Sequence, residues 1–115
     1  MSYMLLIVEP QGQRRTRAPE EGHSLYHRML DYTESLKTRG VLVASDSLRA
    51  SAARLSIRAG RQNIVDGPFT EAKELVGGFF LLDCATREQA LGLAAECPAA
   101  EWATIEVREV GPCYE

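Results

Sequence analysis

The sequence predicts one α+β domain over residues 1–115, a βαββαβ order of ferredoxin-like topology with an inserted β-hairpin. Three observations predict it. Short apolar runs recur at strand spacing, two segments carry apolar residues at 3.6-residue spacing, and 115 residues leave room for one modest core. With 45% hydrophobic and 25% charged residues the composition is that of a soluble globular protein, which excludes disordered and fibrous classes.

The run Tyr3 to Val8 is continuously apolar, as expected of a strand buried on both faces. A helix opens near Pro19, whose ring pre-sets φ for the first helical position, with Glu20 and Glu21 favoured by the helix dipole. Leu25, Met29, Tyr32, Thr33 and Leu36 form its apolar stripe, and Gly40 closes it as a left-handed C-terminal residue. Val41 to Ala44 is the second strand. Ala53–Arg58 and Gln62–Val65, joined through Ala59-Gly60, form the hairpin. Gly78 to Leu82 is the third main strand. Thr86 and Gln89 make a capping box for the second helix, which Pro98 ends. Thr104 to Val110 alternates polar and apolar residues as a half-exposed last strand.

Two helices cover one face of a four-stranded sheet, yet the first three main strands are apolar on both faces. The uncovered face predicts an interaction surface, and a second copy packed sheet to sheet satisfies it, so a homodimer is expected. The alternative is that the hairpin folds back over that face.

Net charge is −3, which gives no electrostatic reason to expect nucleic acid as a partner. Arg14, Arg15 and Arg17 read as a solvated loop ahead of the helix. The run Tyr3–Val8 is too short to span a bilayer and lacks the flanks of a signal peptide, so no membrane association and a cytoplasmic location are expected. Cys84, Cys97 and Cys113 have neither paired spacing nor an even count, and no Glu stands between His23 and His27 as HExxH requires; no metal is expected. Gly77-Gly78 precedes a strand rather than a helix N-terminus, so it is no phosphate loop, and nothing calls for a cofactor.

The segment Asp66-Gly67-Pro68-Phe69 carries the most information. Gly67 and Pro68 force a tight turn, Asp66 is placed to accept from nearby amides, Phe69 is expected to anchor the turn to the core, and Thr70 to cap one helical turn ended by Gly77-Gly78. Asp66, Glu71, Lys73 and Glu74 crowd three carboxylates and an amine onto this stiff segment, which suits a general base or a polar ligand contact. Read structurally, the same segment is a rigid connector.

Asp66-Gly67-Pro68-Phe69, Glu71, Lys73-Glu74 and Gly77-Gly78-Phe79, with Tyr3-Met4-Leu5-Leu6, Gly40-Val41-Leu42 and Cys97-Pro98, resemble the DGPF branch of the YCII-related proteins over nearly the whole chain. The resemblance implies a dimeric α+β barrel with a pocket in each subunit, in bacterial proteins often encoded beside extracytoplasmic-function sigma factors. It also implies, from relatives linked to dehydrochlorination of chlorinated aromatics, a His–Asp catalytic pair. Asp66 matches the motif; no motif places a histidine. His23 stands near the helix start, within approach of a pocket mouth, and His27 is about 180° from the apolar stripe and faces solvent; a surface role is the first reading for both.

The expected function is small-molecule binding with acid–base, lyase- or hydrolase-like chemistry in a pocket near Asp66. Asp66 and His23 are the candidate catalytic residues. Asp46, Phe69, Glu71, Lys73 and Glu74 are the candidate ligand contacts, and Trp102 and Tyr32 are read as packing residues. The alternative is a non-catalytic regulatory module that works through a sigma factor.

Overall fold

The computed structural model describes residues 1–67, 69 and 71–114. The elements run β1 (Ser2–Pro10), α1 (Pro19–Thr38), β2 (Leu42–Ser47), β3 (Ala53–Arg58), β4 (Arg61–Asp66), β5 (Glu74–Asp83), α2 (Arg87–Ala95) and β6 (Thr104–Glu109), with 3₁₀ turns at Gln13–Thr16 and Pro98–Glu101. The main sheet has the order β2-β5-β1-β6, every pairing antiparallel. That is the ferredoxin-like order, with β3 and β4 set apart as a two-stranded sheet. No helix among the described residues is long and apolar enough to cross a membrane.

β1 explains where the core lies. Tyr3, Leu5 and Ile7 are buried beneath the helices, whereas Met4, Leu6 and Val8 between them are half-buried. A single helical layer covers one face, so the run expected to be buried twice is buried once. Leu5, Leu36 and Leu82 are wholly enclosed. Tyr32 of α1 meets Phe80 of β5 edge to face at 5.2 Å and donates its hydroxyl to the Leu93 carbonyl of α2 at 2.7 Å, tying both helices to the sheet. Burial holds the Tyr32 phenol well above its ordinary value, and it pushes the Cys84 and Cys97 thiols up as well. The three cysteines are free.

Local signals explain the helix ends. Gly40 has φ +73°, beyond the reach of most side chains. Thr86 accepts from the Gln89 amide at 3.1 Å, but Gln89 returns its side chain to the Ala85 amide at 2.9 Å, one residue before the cap.

The hairpin does not fold over the open face. Leu55, Ile57 and Ile64 are each more than half exposed. The arm stretches the molecule to 46 × 42 × 18 Å with a radius of gyration of 16.0 Å, against roughly 13 Å for a compact chain near this size. Its turn places Ala59 at φ +51° and Gly60 at +74°, both residues left-handed as a two-residue hairpin turn requires.

Two expectations about the segment after the hairpin change. The cap at Thr70 and the turn at Pro68 lie outside the described residues. Leu75 and Val76 are strand rather than helix, because they pair with Glu9 and Val8 of β1, and ladder pairing outweighs local capping. Phe69 does not reach the core: it is half-buried under the Arg54 guanidinium of β3, 3.8 Å from the ring centroid. Gly67 is needed for space, since a Cβ there would sit 3.0 Å from the Phe69 ring and 3.1 Å from the Ala52 carbonyl that its amide bonds at 2.7 Å.

Candidate ligand site beneath the first helix

A cavity of about 790 Å³ lies between α1, the β2 edge and the middle of β5, within the size range of small-molecule sites. Ile7, Tyr26, Met29, Leu30 and Trp102 supply apolar walls. Glu9, Arg14, Arg17, His23, Lys37 and Ser45 bring polar and charged groups to it.

Each polar group arrives for a local reason. Glu9 follows Tyr3, Leu5 and Ile7 at period two and therefore points to the covered side of the sheet, where it is 4% exposed. The β1–β5 register slips between Ile7 and Val8, so that Gly77 is an extra, unmatched residue. A Cβ at Gly77 would fall 2.7 Å from Arg14 Nη2 and 2.8 Å from both Cδ and Oε2 of Glu9. The bulge and the missing side chain together make room for an ion pair.

Arg14 completes that pair. Its Nε lies 2.6 Å from Glu9 Oε1. Nη1 donates to the Leu48 carbonyl at 2.7 Å and Nη2 to the Gly77 carbonyl at 3.3 Å. The expected solvated arginine loop is thus corrected at two positions: the 3₁₀ turn directs Arg14 back onto β1 and β5, and Arg17 is half-buried and bonds Gln13, while Arg15 stays exposed. Arg17 and Arg28 both stack on Trp102, 5.9 and 5.6 Å from its ring centroid. Gln13 holds the Trp102 carbonyl at 2.9 Å. Arg28 also hydrogen-bonds Glu101, which holds that carboxyl below its ordinary range. Trp102 forms one wall of the cavity while packing against the core.

Of the residues singled out in the sequence, His23, on the first turns of α1, lines the cavity and is itself exposed; Asp46, near the end of β2, borders it at the strand edge, with its side chain on the open sheet face beside Phe79. Asp66, Phe69, Glu71, Lys73 and Glu74 do not line it. Asp66 ends β4 and is exposed, as are Glu71, Lys73 and Glu74. Lys73 contributes its carbonyl to the Gln11 amide at 2.8 Å, and Gln11 also donates its side chain to the Phe69 carbonyl at 3.2 Å. Those contacts hold the segment to the end of β1, so its charged side chains face away from the large cavity. His27 is exposed.

Glu9 and Arg14 escaped the sequence reading. Glu9 follows a run that is apolar at every position, so no sequence alternation marks its direction; the alternating burial of Tyr3, Leu5 and Ile7 does. Arg14 had no sequence signal either, because its partner is reached through the β5 bulge.

The fold and the cavity define an α+β domain of ferredoxin-like topology with ligand-sized space beneath its first helix. The chain belongs to the YCII-related family, whose domain matches residues 1–113. An uncharacterized protein of Rhizobium meliloti (strain 1021) is 43% identical over 60 residues, 50% of this chain; the match spans 48%, about half, of that relative's length. Among solved structures, the chain is similar to the 5-chloro-2-hydroxyhydroquinone dehydrochlorinase TftG of Burkholderia phenoliruptrix AC1100, in complex with 2,5-dihydroxybenzoquinone. The TM-score is 0.57 at 14% identity, covering 96% of this chain and 94% of that one. At that identity the likeness is one of fold.

Proposed function

We propose that this protein binds a small molecule in the cavity beneath α1 and acts on it by acid–base chemistry, with His23 exchanging the proton. The observation that carries the reading is that His23, the buried Glu9 and Ser45 line one 790 Å³ cavity. Histidine is the side chain suited to proton exchange near neutral pH. The ligand in the TftG complex supports a hydroxylated ring as the first class of compound to test.

Titration calorimetry with hydroquinone tests this. One saturable site per chain is expected. Gly22 lines the cavity and has no atom within 4 Å of where its Cβ would stand, so Gly22→Phe fills the cavity without disturbing the helix and should abolish binding. Asp66→Asn should leave binding unchanged. Binding that survives the plug, or is lost with Asp66→Asn, would overturn the reading.

The motif Asp66-Gly67-Pro68-Phe69 supports assignment to the DGPF branch, and a homodimer belongs to the same proposal. Met4, Leu6, Val8 and Leu81 lie on the sheet face away from the helices, and Leu55, Ile57 and Ile64 share one exposed face of the arm. A second copy would cover both. Light scattering after size exclusion should return twice the chain mass of 12.7 kDa; the single mass would refute it.

A further inference from the structure

We propose that Glu9 is the group that reads the ligand: a carboxylate that accepts a hydrogen bond from a hydroxyl or amine N–H of a neutral or cationic molecule. The inference rests on the cavity being the ligand site. Glu9 is the one buried charged side chain among the described residues. Its Oε1 is sealed from solvent with no hydrogen-bond donor aligned on it, so Oε2 is the oxygen that a ligand's donor can reach. The Arg14 Nε that stands 2.6 Å away balances its charge but does not point its N–H along the contact.

That arrangement costs stability. An inward position at the end of β1 would be filled more cheaply by an apolar residue, and a buried carboxylate is tolerated when its lone pairs are used. Here charge is compensated while acceptor capacity is left over, since a carboxylate offers about four lone-pair sites. Arg14 meanwhile spends Nη1 and Nη2 on the Leu48 and Gly77 carbonyls. It is a positioning residue for Glu9 rather than an open anion site. The cavity edge therefore presents an acceptor with its counter-charge already in place. An anionic ligand gains little at such a neutral pair, whereas a ligand that brings a donor satisfies the carboxylate.

The test uses two rings that differ in their donors, hydroquinone and 1,4-dimethoxybenzene, titrated calorimetrically into the full chain and into Glu9→Gln. The wild type should prefer hydroquinone by at least about tenfold, the factor one charge-assisted hydrogen bond supports. Glu9→Gln should reduce the preference several-fold and leave affinity for the dimethyl ether unchanged. A merely structural role for Glu9 would weaken both probes together, and that result overturns the proposal. So does a wild type without preference, or a variant that keeps it; in both cases the cavity reading stands. If neither probe binds the wild type, the cavity reading falls and this inference with it. Should Glu9→Gln fail to fold, Glu9→Asp, which withdraws the charge by one methylene, carries the same test: an unchanged preference refutes the role.

Discussion

Replacing Gly77 by alanine probes the Glu9–Arg14 pair without touching either partner. The backbone at Gly77 is not left-handed, so alanine is conformationally allowed, and the added methyl is the whole perturbation. That methyl would lie 2.7–2.8 Å from Arg14 Nη2 and the Glu9 carboxylate. Neither neighbour yields easily: Glu9 is enclosed by the sheet, and Arg14 is held at three points. Overpacking of this kind costs about 1–3 kcal/mol, offset by about 0.4–1 kcal/mol from the restricted unfolded chain. The net expectation is a loss of about 1–2 kcal/mol. Gly92, inside α2 with nothing within 4 Å of its Cβ position, is the matched control. There alanine should stabilise by roughly 0.5–1 kcal/mol, from helix propensity and reduced unfolded-state entropy. Urea unfolding at unchanged slope reads both. In a Glu9→Ala background the Gly77→Ala cost should largely disappear, giving a coupling of about 1 kcal/mol. Gly77→Ala as stabilising as Gly92→Ala, or strictly additive with Glu9→Ala, would refute the packing argument.

Ala59 holds a left-handed conformation at the hairpin tip, which costs an L-residue about 1–2 kcal/mol relative to an ordinary one. Ala59→Asn should therefore slow amide exchange in β3 and β4 several-fold, while exchange in β1 and β5 stays the same; faster or equal exchange in the hairpin would contradict the turn assignment. The Arg28–Glu101 bond lowers the Glu101 carboxyl from its ordinary value of 4.5. A carboxyl depressed in the folded state adds stability above its ordinary value, and that stability is lost as pH falls through the folded value. The melting-temperature gap between wild type and Glu101→Gln should thus be full at neutral pH, shrink on the acid side of 4.5, and narrow in high salt because the pair is exposed. A gap independent of pH would exclude the ion pair as its source.

Much of the fold was legible because local rules and tertiary packing agree. Pro19 and Gly40 mark α1, the alternation in Ala53–Arg58 marks the hairpin, and the stripe through Met29, Tyr32 and Leu36 meets the core. Of the candidate site residues, His23 follows the well-marked start of α1 and lines the cavity, whereas Asp66, with the most conspicuous motif, ends β4 on the projecting arm and does not.

The residues by themselves determined the element order and the antiparallel sheet, since periodicity and capping are properties of neighbours in the chain. Tertiary structure alone decided that Gly77 would be extra in its ladder, that Arg14 would turn back to Glu9, and that a cavity would open under α1. Those depend on the register between β1 and β5, strands more than sixty residues apart, and no local pattern encodes where a register slips.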